Sequence, residues 1–403
     1  MLNNKGEREL AYVVKVTDVI NIPEAEKVEL VKVNEWTCMV QKGAFKPGDL
    51  AVYFEIDSKL PQKPEFEFTA KYDYRIKTQK YFKGTVISQG LVMHPDDLHL
   101  INIKEGDFLT KELGVTYYEP EDNIRKESSS KAQKKTTLET KMKNWSHKHP
   151  RAAKSKLLYK LVKLFYSLTY KKKVSLAWPS WVVKTDEERC QNMPQLFREP
   201  LNSIEWIATE KIDGTSTTFT MKADKPKKRK LITCSRNLVI DPNTSSTSSV
   251  YAEMRDKYQM DKVLSHILSQ HNTFDYITIQ GEAFGGSIQK RNYGPEHRLA
   301  IFNIIYAESG KPPKRLNPIE MKKFVDDLNK WLKEEVPGSV PLMTVPIVEE
   351  SYKLPSTCNE LLQYAHGQSQ IDKGLREGVV FRSTDGVYSF KAVDNEFILK
   401  YHN

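Results

Sequence analysis

Cysteine is scarce. The 403 residues contain four, Cys38, Cys190, Cys234 and Cys358, and none are paired at metal-ligand spacing. That excludes a disulfide framework and a zinc ribbon, and it reads as an intracellular protein of cytoplasm or nucleus with reduced thiols. Long apolar runs are also missing. The longest, such as 299–306, fall far short of the roughly 20 residues a membrane helix needs, so no membrane association is expected. The N-terminus is charged over 1–8 with no apolar block behind it, which is not the pattern of a secretory signal. Core material is not lacking. Hydrophobic residues make up 39% and aromatic residues 10%, too much for a disordered chain and enough, at this length, for two domains.

The formal charge of +10 is unevenly spread. Residues 121–184 carry 17 Lys and Arg against 4 Asp and Glu, leaving the remainder of the chain at net −3. A block this basic attracts polyanions through counterion release, without sequence specificity. A solvated linker that keeps the protein soluble has the same composition.

Residues 9–118 read as a small β domain. Runs at 12–20, 28–33, 37–40, 50–56 and 84–93 are rich in Val, Ile and Tyr and separated by turn signals such as Pro47-Gly48-Asp49. Five short strands in about 100 residues suit a Greek-key barrel of the oligonucleotide-binding (OB) type. Lys77, Lys80, Tyr81, Phe82 and Lys83 interleave basic and aromatic residues and are candidates for RNA contact, with core packing of the two rings as the other reading. Residues 121–150, rich in Ser, Lys and Thr, have the composition of a linker. Over 154–170 leucines recur at helical spacing beside Lys156, Lys160 and Lys163, an amphipathic helix whose stripe packs on its own domain and whose lysines are free for phosphates. From 185 onward the pattern is mixed α and β, with strand-like runs at 206–209, 217–221, 231–234, 276–280, 299–306, 379–382 and 387–393. Helix-like runs cover 251–269 and 318–332, the second with Asn317 as N-cap and Pro318 at its first position.

Chemistry concentrates at strand ends. Glu210-Lys211-Ile212-Asp213-Gly214-Thr215-Ser216 follows a short strand. An amine nucleophile must be deprotonated, and free lysine, with a pKa near about 10.4, is not. A nearby divalent cation would lower that value, and carboxylates holding it would sit close by. Asp213 alternates with Lys211 in an extended chain, and Gly214 permits a turn or a close backbone approach to phosphate. Then come Ser235-Arg236-Asn237, Gln280-Gly281-Glu282-Ala283-Phe284-Gly285-Gly286, the apolar Leu299-Ala300-Ile301-Phe302-Asn303-Ile304, Glu377-Gly378-Val379-Val380-Phe381-Arg382 and Ser389-Phe390-Lys391-Ala392-Val393. Each alone is bland; a solvated glutamate or a core phenylalanine would look the same.

Taken in order, the set resembles motifs I, Ia, IIIa, III, IV and V of the covalent nucleotidyltransferases, the superfamily of DNA ligases, RNA ligases and mRNA capping enzymes. DNA ligases and capping enzymes carry an OB domain after motif V, whereas only twelve residues follow Lys391 here and a β domain precedes motif I. This order resembles the ATP-dependent RNA ligases with an N-terminal OB-like module, which seal nicks in RNA repair. The run Lys184-Thr185-Asp186-Glu187-Glu188-Arg189-Cys190-Gln191-Asn192 and the stretch Gly286-Ser287-Ile288-Gln289-Lys290 leading to Tyr293 are similar to that group as well.

The resemblance implies an α+β protein with an N-terminal OB-like β-barrel over 1–120, a basic linker and amphipathic helix over 121–184, and a mixed α/β nucleotidyltransferase domain over 185–403. It implies that Lys211 attacks the α-phosphate of ATP to form a lysyl–AMP and release pyrophosphate. Asp213, Glu282 and Glu377 would hold water ligands of an octahedral Mg²⁺ or Mn²⁺. Arg236 would reach ribose or phosphates, Phe302 would stack on adenine, the backbone of Glu210 and Ile212 would read the base, and Glu282 would also accept a ribose hydroxyl. Lys391 would contact the α-phosphate. AMP would then pass to a 5′-phosphate, and a 3′-hydroxyl would displace it. The partner would be RNA with such ends, in a nicked duplex, and the protein a monomer. Two positions depart from the family: many RNA ligases have a second motif V lysine where this chain has Val393, and some have Asn where it has Ser216. A DNA ligase or capping guanylyltransferase, and a non-catalytic OB-type RNA-binding protein, are the competing readings.

Overall fold

The computed structural model describes residues 1–3, 8–23, 25–84, 86–118, 145–146, 155, 159–160, 162, 178–224 and 228–402. The chain divides into a unit of Met1–Tyr117 with Ala177–Asn403 and a second of Tyr118–Leu176. In the second, Trp145 and Tyr159 meet edge to face at 6.4 Å; Lys160 is exposed on a helical turn, and Lys156 and Lys163 lie outside the described residues. Among the described residues no helix is long and apolar enough to cross a membrane.

The N-terminal strands follow the alternation of the sequence. Trp36–Gln41, Val28–Val33, Ala11–Asn21, Leu50–Phe54 and Leu91–Met93 form one antiparallel sheet in that order. A register shift between Val16 and Asp18 bends the long first strand, so its two halves pair with different neighbours and the sheet curls. Trp36–Gln41 closes most of the remaining gap by bonding to the hairpin Thr78–Tyr81 and Val86–Gln89: Thr37 Oγ1 donates to the Ile87 carbonyl at 3.1 Å and the Met39 amide to Ser88 Oγ at 2.9 Å. This is the expected OB-like barrel, with two differences. The run 84–93 is not one strand. It breaks at Gly90, whose φ of +102° and position 2.3 Å (from its absent Cβ) from the Tyr53 ring admit no side chain. Residues 78–81, expected as an exposed contact segment, form a strand, and Tyr81 and Phe82 are half-buried.

The C-terminal module has two sheets. Glu188–Arg189, Ser389–Val393, Gly378–Ser383, Glu205–Lys211 and Ile347–Lys353 make one; Ile232–Cys234, Thr215–Lys222, Phe274–Phe284, Arg298–Glu308 and Lys314–Arg315 carry the other. The helices Val250–Lys257, Met260–Gln270 and Pro318–Glu335 cover the second sheet with Met254, Leu264, Ile267, Met321, Val325 and Leu328. Asn317 caps the last helix in a reciprocal box with Glu320, as its sequence predicts. The single helix expected over 251–269 is two, broken where Gln259 adopts a left-handed conformation.

Barrel and catalytic module join through a buried polar cluster. The Asn192 side-chain amide donates to Glu55 Oε1 at 2.7 Å, while Asn192 Oδ1 accepts from the Tyr12 hydroxyl at 3.0 Å and from Trp36 Nε1 at 2.5 Å. Arg8 closes the cluster on Glu55 at 2.8 Å.

Candidate active site

Lys211 ends the strand Glu205–Lys211 and pairs in register with Gly378, which places Glu377 beside it. The Lys211 Nζ to Glu377 Oε2 distance is 2.7 Å. The next strand begins at Thr215, and Ser216 pairs with Glu282, so the second glutamate comes to the same edge. Gly214 lies where a Cβ would sit 2.2 Å from the Ala283 carbonyl and 3.0 Å from Glu282 Cγ. The glycine of the motif is therefore required by the strand that carries Glu282; phosphate approach is not needed to explain it. Asp213 is buried. Its amide donates to the Tyr293 hydroxyl at 3.1 Å, and its Oδ1 meets His402 Nε2 at 3.1 Å.

These carboxylates set the charge of Lys211. Burial pushes the Lys211 ammonium down, but Glu377, Glu282 and Asp213 outweigh it and leave its pKa raised. Burial is also the main reason the Glu282 carboxyl is pushed up to about 8; Lys211 pulls it down, while Glu377 and Asp213 push it further up. For His402, burial lowers the pKa, but the bond to Asp213 together with the charges of Asp213, Glu377 and Asp57 outweighs it and leaves the pKa raised.

A second cluster of opposite sign adjoins the first. The parallel pairing of Glu188–Arg189 with Ser389–Val393 sets Arg189 beside Lys391. Asp186 stands among three cations: Arg236 at 2.6 Å, Lys391 at 3.7 Å and Arg8 at 4.0 Å. Burial raises the Asp186 carboxyl, but those three hold it well below the usual carboxylate range. Lys391 is pushed down to about 7, by burial first and then by Arg8, with Asp186 pulling the other way. Arg236 also lies over the Tyr117 ring of the barrel at 4.8 Å. Arg189 is buried, and its Nε and Nη1 have no hydrogen-bond partner. A buried guanidinium with unsatisfied donors is a ready anion contact.

The third part of the site is apolar. The Glu210 amide is already taken by the Pro346 carbonyl at 2.8 Å, which removes that N–H from the backbone expected to read a base. Its buried carboxyl instead holds the Gln370 amide at 2.7 Å and keeps Oε1 without a partner. Ile212 is buried in the sheet–helix core. Phe302 is half-buried, and its carbonyl accepts from Arg382 Nη1 at 2.7 Å, a guanidinium fully enclosed between the two sheets and paired with Glu187 at 3.3 Å.

Of the residues singled out by sequence, Lys211, Asp213, Glu282 and Glu377 form one group, and Arg236 and Lys391 a second beside it. The basic residues of the barrel join neither group: Lys80 pairs with Glu396 at 2.6 Å, Lys83 is exposed, and the Lys77 pKa is lowered by burial and by Arg75 and Lys290. Arg8, Asp186, Arg189 and His402 were not foreseen as site residues. For Asp186 and Arg189 a signal existed, since they lie in the run 184–192 that carried part of the family likeness. Ser216 hydrogen-bonds the Thr185 hydroxyl at 2.8 Å, so the same run also reaches the strand behind Lys211.

The donor set fits a hard divalent cation held through water. Asp213 Oδ2 is buried without a partner, and three carboxyls surround one ammonium. Among the described residues no three His, Cys, Asp or Glu side chains converge closely enough to grip an ion directly.

Residues 10–95 match a sequence model described as an OB-fold domain, and residues 204–402 match that of RNA ligase. No curated protein matches the chain. Among solved structures, a point mutant of the RNA ligase of Naegleria gruberi with ATP and Mn is similar at 27% identity and a TM-score of 0.72, over 98% of this chain and 100% of that one. A second mutant of the same protein, with ATP and Mn, gives 26% and 0.71 over 98% and 99%. A third, with AMP and Mn, gives 25% and 0.69 over 98% and 99%. The likeness thus runs through the barrel and both sheets of the catalytic module, and the chain belongs to the RNA ligase family of the covalent nucleotidyltransferases, in the group with an N-terminal OB-like domain.

Proposed function

We propose that this protein is an ATP-dependent ligase that joins 3′-hydroxyl to 5′-phosphate ends of RNA, sealing nicks in duplexes as a repair enzyme inside the cell, and that it works as a monomer. The observation that carries the reading is Lys211, 2.7 Å from Glu377 and in the field of Asp213 and Glu282, with the Lys391–Arg236–Arg189 cations adjoining.

The ammonium of Lys211 must lose a proton before its nitrogen can attack. Asp213, Glu282 and Glu377 would hold the waters of a bound Mg²⁺ or Mn²⁺, which would supply positive charge that competes for these carboxylates and shields the α-phosphate. The amine then forms the N–P bond as the bond to pyrophosphate breaks, giving lysyl–AMP. Lys391, Arg236 and Arg189 hold phosphate oxygens and stabilise their developing charge. Phe302 stacks on adenine, and Glu210 Oε1 accepts from the exocyclic amine of the base. A 5′-phosphate oxygen next attacks the adenylate, the N–P bond breaks, and Lys211 regains its proton. Last, the 3′-hydroxyl attacks the 5′-phosphate, a phosphodiester forms and AMP leaves. All three steps are in-line displacements promoted by position and charge. Lys77, Lys80, Lys83 and the lysines at 156, 160 and 163 hold the RNA backbone.

Incubation with α-labelled ATP and Mn²⁺, followed by a denaturing gel, tests the first step. The wild type should retain label and Lys211→Ala should not. Label retained only from GTP, or wild-type sealing of a nicked RNA duplex by Lys211→Ala, overturns the proposal.

A further inference from the structure

We infer that His402 is a positioning residue for Asp213, and that it links this carboxylate to the barrel through Arg75. The inference rests on the role proposed above for Asp213. A carboxylate can only accept, so His402 Nε2 donates across the 3.1 Å to Oδ1. That bond fixes the Asp213 side chain and leaves Oδ2, which is buried, as the oxygen without a hydrogen-bond partner. A side chain held by a single hydrogen bond at one oxygen is the arrangement by which outer partners aim a carboxylate at an ion or its waters.

The imidazole is itself held. It sits on the turn Ile398–His402, which follows the short helix Asn395–Phe397. Phe397 is fully buried, with its ring 5.7 Å from the imidazole. Ile398 packs with Val393 of the catalytic sheet and Ile56 of the barrel. Arg75, anchored on Asp57 at 2.7 Å, donates to the His402 carbonyl at 2.9 Å. Gln89 of the barrel donates to Asn395 Oδ1 at 3.0 Å. The turn is thus clasped by the barrel on one side and the catalytic sheet on the other, and none of its residues lies in the six motifs.

The test uses the full chain with His402→Ala and His402→Gln, the second retaining an N–H donor. Adenylylation is followed in single turnovers across Mn²⁺ concentrations. Mn²⁺ binding is read separately, from loss of the free-ion electron paramagnetic resonance signal on titration into protein with α,β-methylene ATP. His402→Ala should weaken Mn²⁺ binding and slow adenylylation by about tenfold or more, with the KM for ATP changed less than about twofold, and His402→Gln should recover most of both. A wild-type Mn²⁺ titration for His402→Ala overturns the inference. So does a His402→Gln protein that folds, by its melting curve, yet binds Mn²⁺ no better than the alanine variant. If Lys211→Ala still takes up label, the parent reading fails; if it does not and His402→Ala matches wild type, only this inference fails.

Discussion

Two lysines in one cleft stand in opposite surroundings. Lys211 lies among Asp213, Glu282 and Glu377, carries more negative charge around it than it can balance, and has a raised pKa. Lys391 lies with Arg8 and Arg236 around one carboxylate, Asp186, with Arg189 beside it in the sheet, and is pushed down to about 7. One end is short of positive charge and the other of negative charge. A triphosphate carrying a divalent cation supplies both at once. On the proposed mechanism, Lys211 needs a bound cation to give up its proton, whereas Lys391 needs a phosphate to keep its own.

The contrast can be broken from either end. The largest effect is expected at the acidic end. Glu377→Ala removes the direct partner of Lys211, and single-turnover adenylylation should fall on the order of 10²–10³, as for loss of a preorganised group at a reacting centre. At the cationic end, Asp186→Ala leaves Arg8, Arg236 and Lys391 without their shared carboxylate. Breaking this half-buried charge cluster should cost about 1–3 kcal/mol of stability. Inorganic triphosphate should restore more of the lost melting temperature than it adds to the wild type; equal gains in both proteins would argue against a phosphate seat there.

The pH dependence sharpens the same comparison. With Lys391 at about 7, its charge is present below that value and lost above it. Triphosphate binding above pH 7 must therefore take up a proton, and the Kd should rise with pH by up to about tenfold per unit until the complex itself titrates. In Lys391→Met that part of the slope should vanish, as isothermal titration at pH 6.5, 7.5 and 8.5 would reveal. The same depressed pKa also bears on folding. The unfolded lysine holds its proton to about 10.4, so stability from this group rises between pH 7 and that value. The smallest effect belongs to the apolar part. Arg382→Met frees both the Phe302 carbonyl and Glu187, and the KM for ATP should rise about fivefold, near 1 kcal/mol for the bond that holds the Phe302 carbonyl.

The acidic end was the more legible in sequence. Lys211 ends a strand, Asp213 follows it, Glu282 lies near the end of another and Glu377 immediately precedes a third, each strand with its own apolar run, so local pattern and motif order locate them. The cationic end depends on parts of the chain that no local pattern connects: Arg8 precedes the barrel, and Asp186 and Arg189 lie beyond the basic segment. His402 meets Asp213 only because a terminal turn folds back between barrel and sheet. Elsewhere the losses have simple causes. The edge strand Ile347–Lys353 exposes Glu349, Glu350 and Ser351 and so lacks an apolar signature. The break at Gln259 carries no Gly or Pro to announce it. The Glu210 amide is spoken for by Pro346, a contact 136 positions away in sequence that only the folded sheet creates.

The Asn192 cluster has a thermodynamic corollary. Tyr12, Trp36 and Glu55 on one side and Asn192 on the other satisfy one another away from water. Parting the two modules would break the three hydrogen bonds that Asn192 makes to Tyr12, Trp36 and Glu55, each worth about 0.5–1.5 kcal/mol. Calorimetry should accordingly record a single heat-absorption peak for barrel and catalytic module, and Asn192→Ala should begin to split it in two.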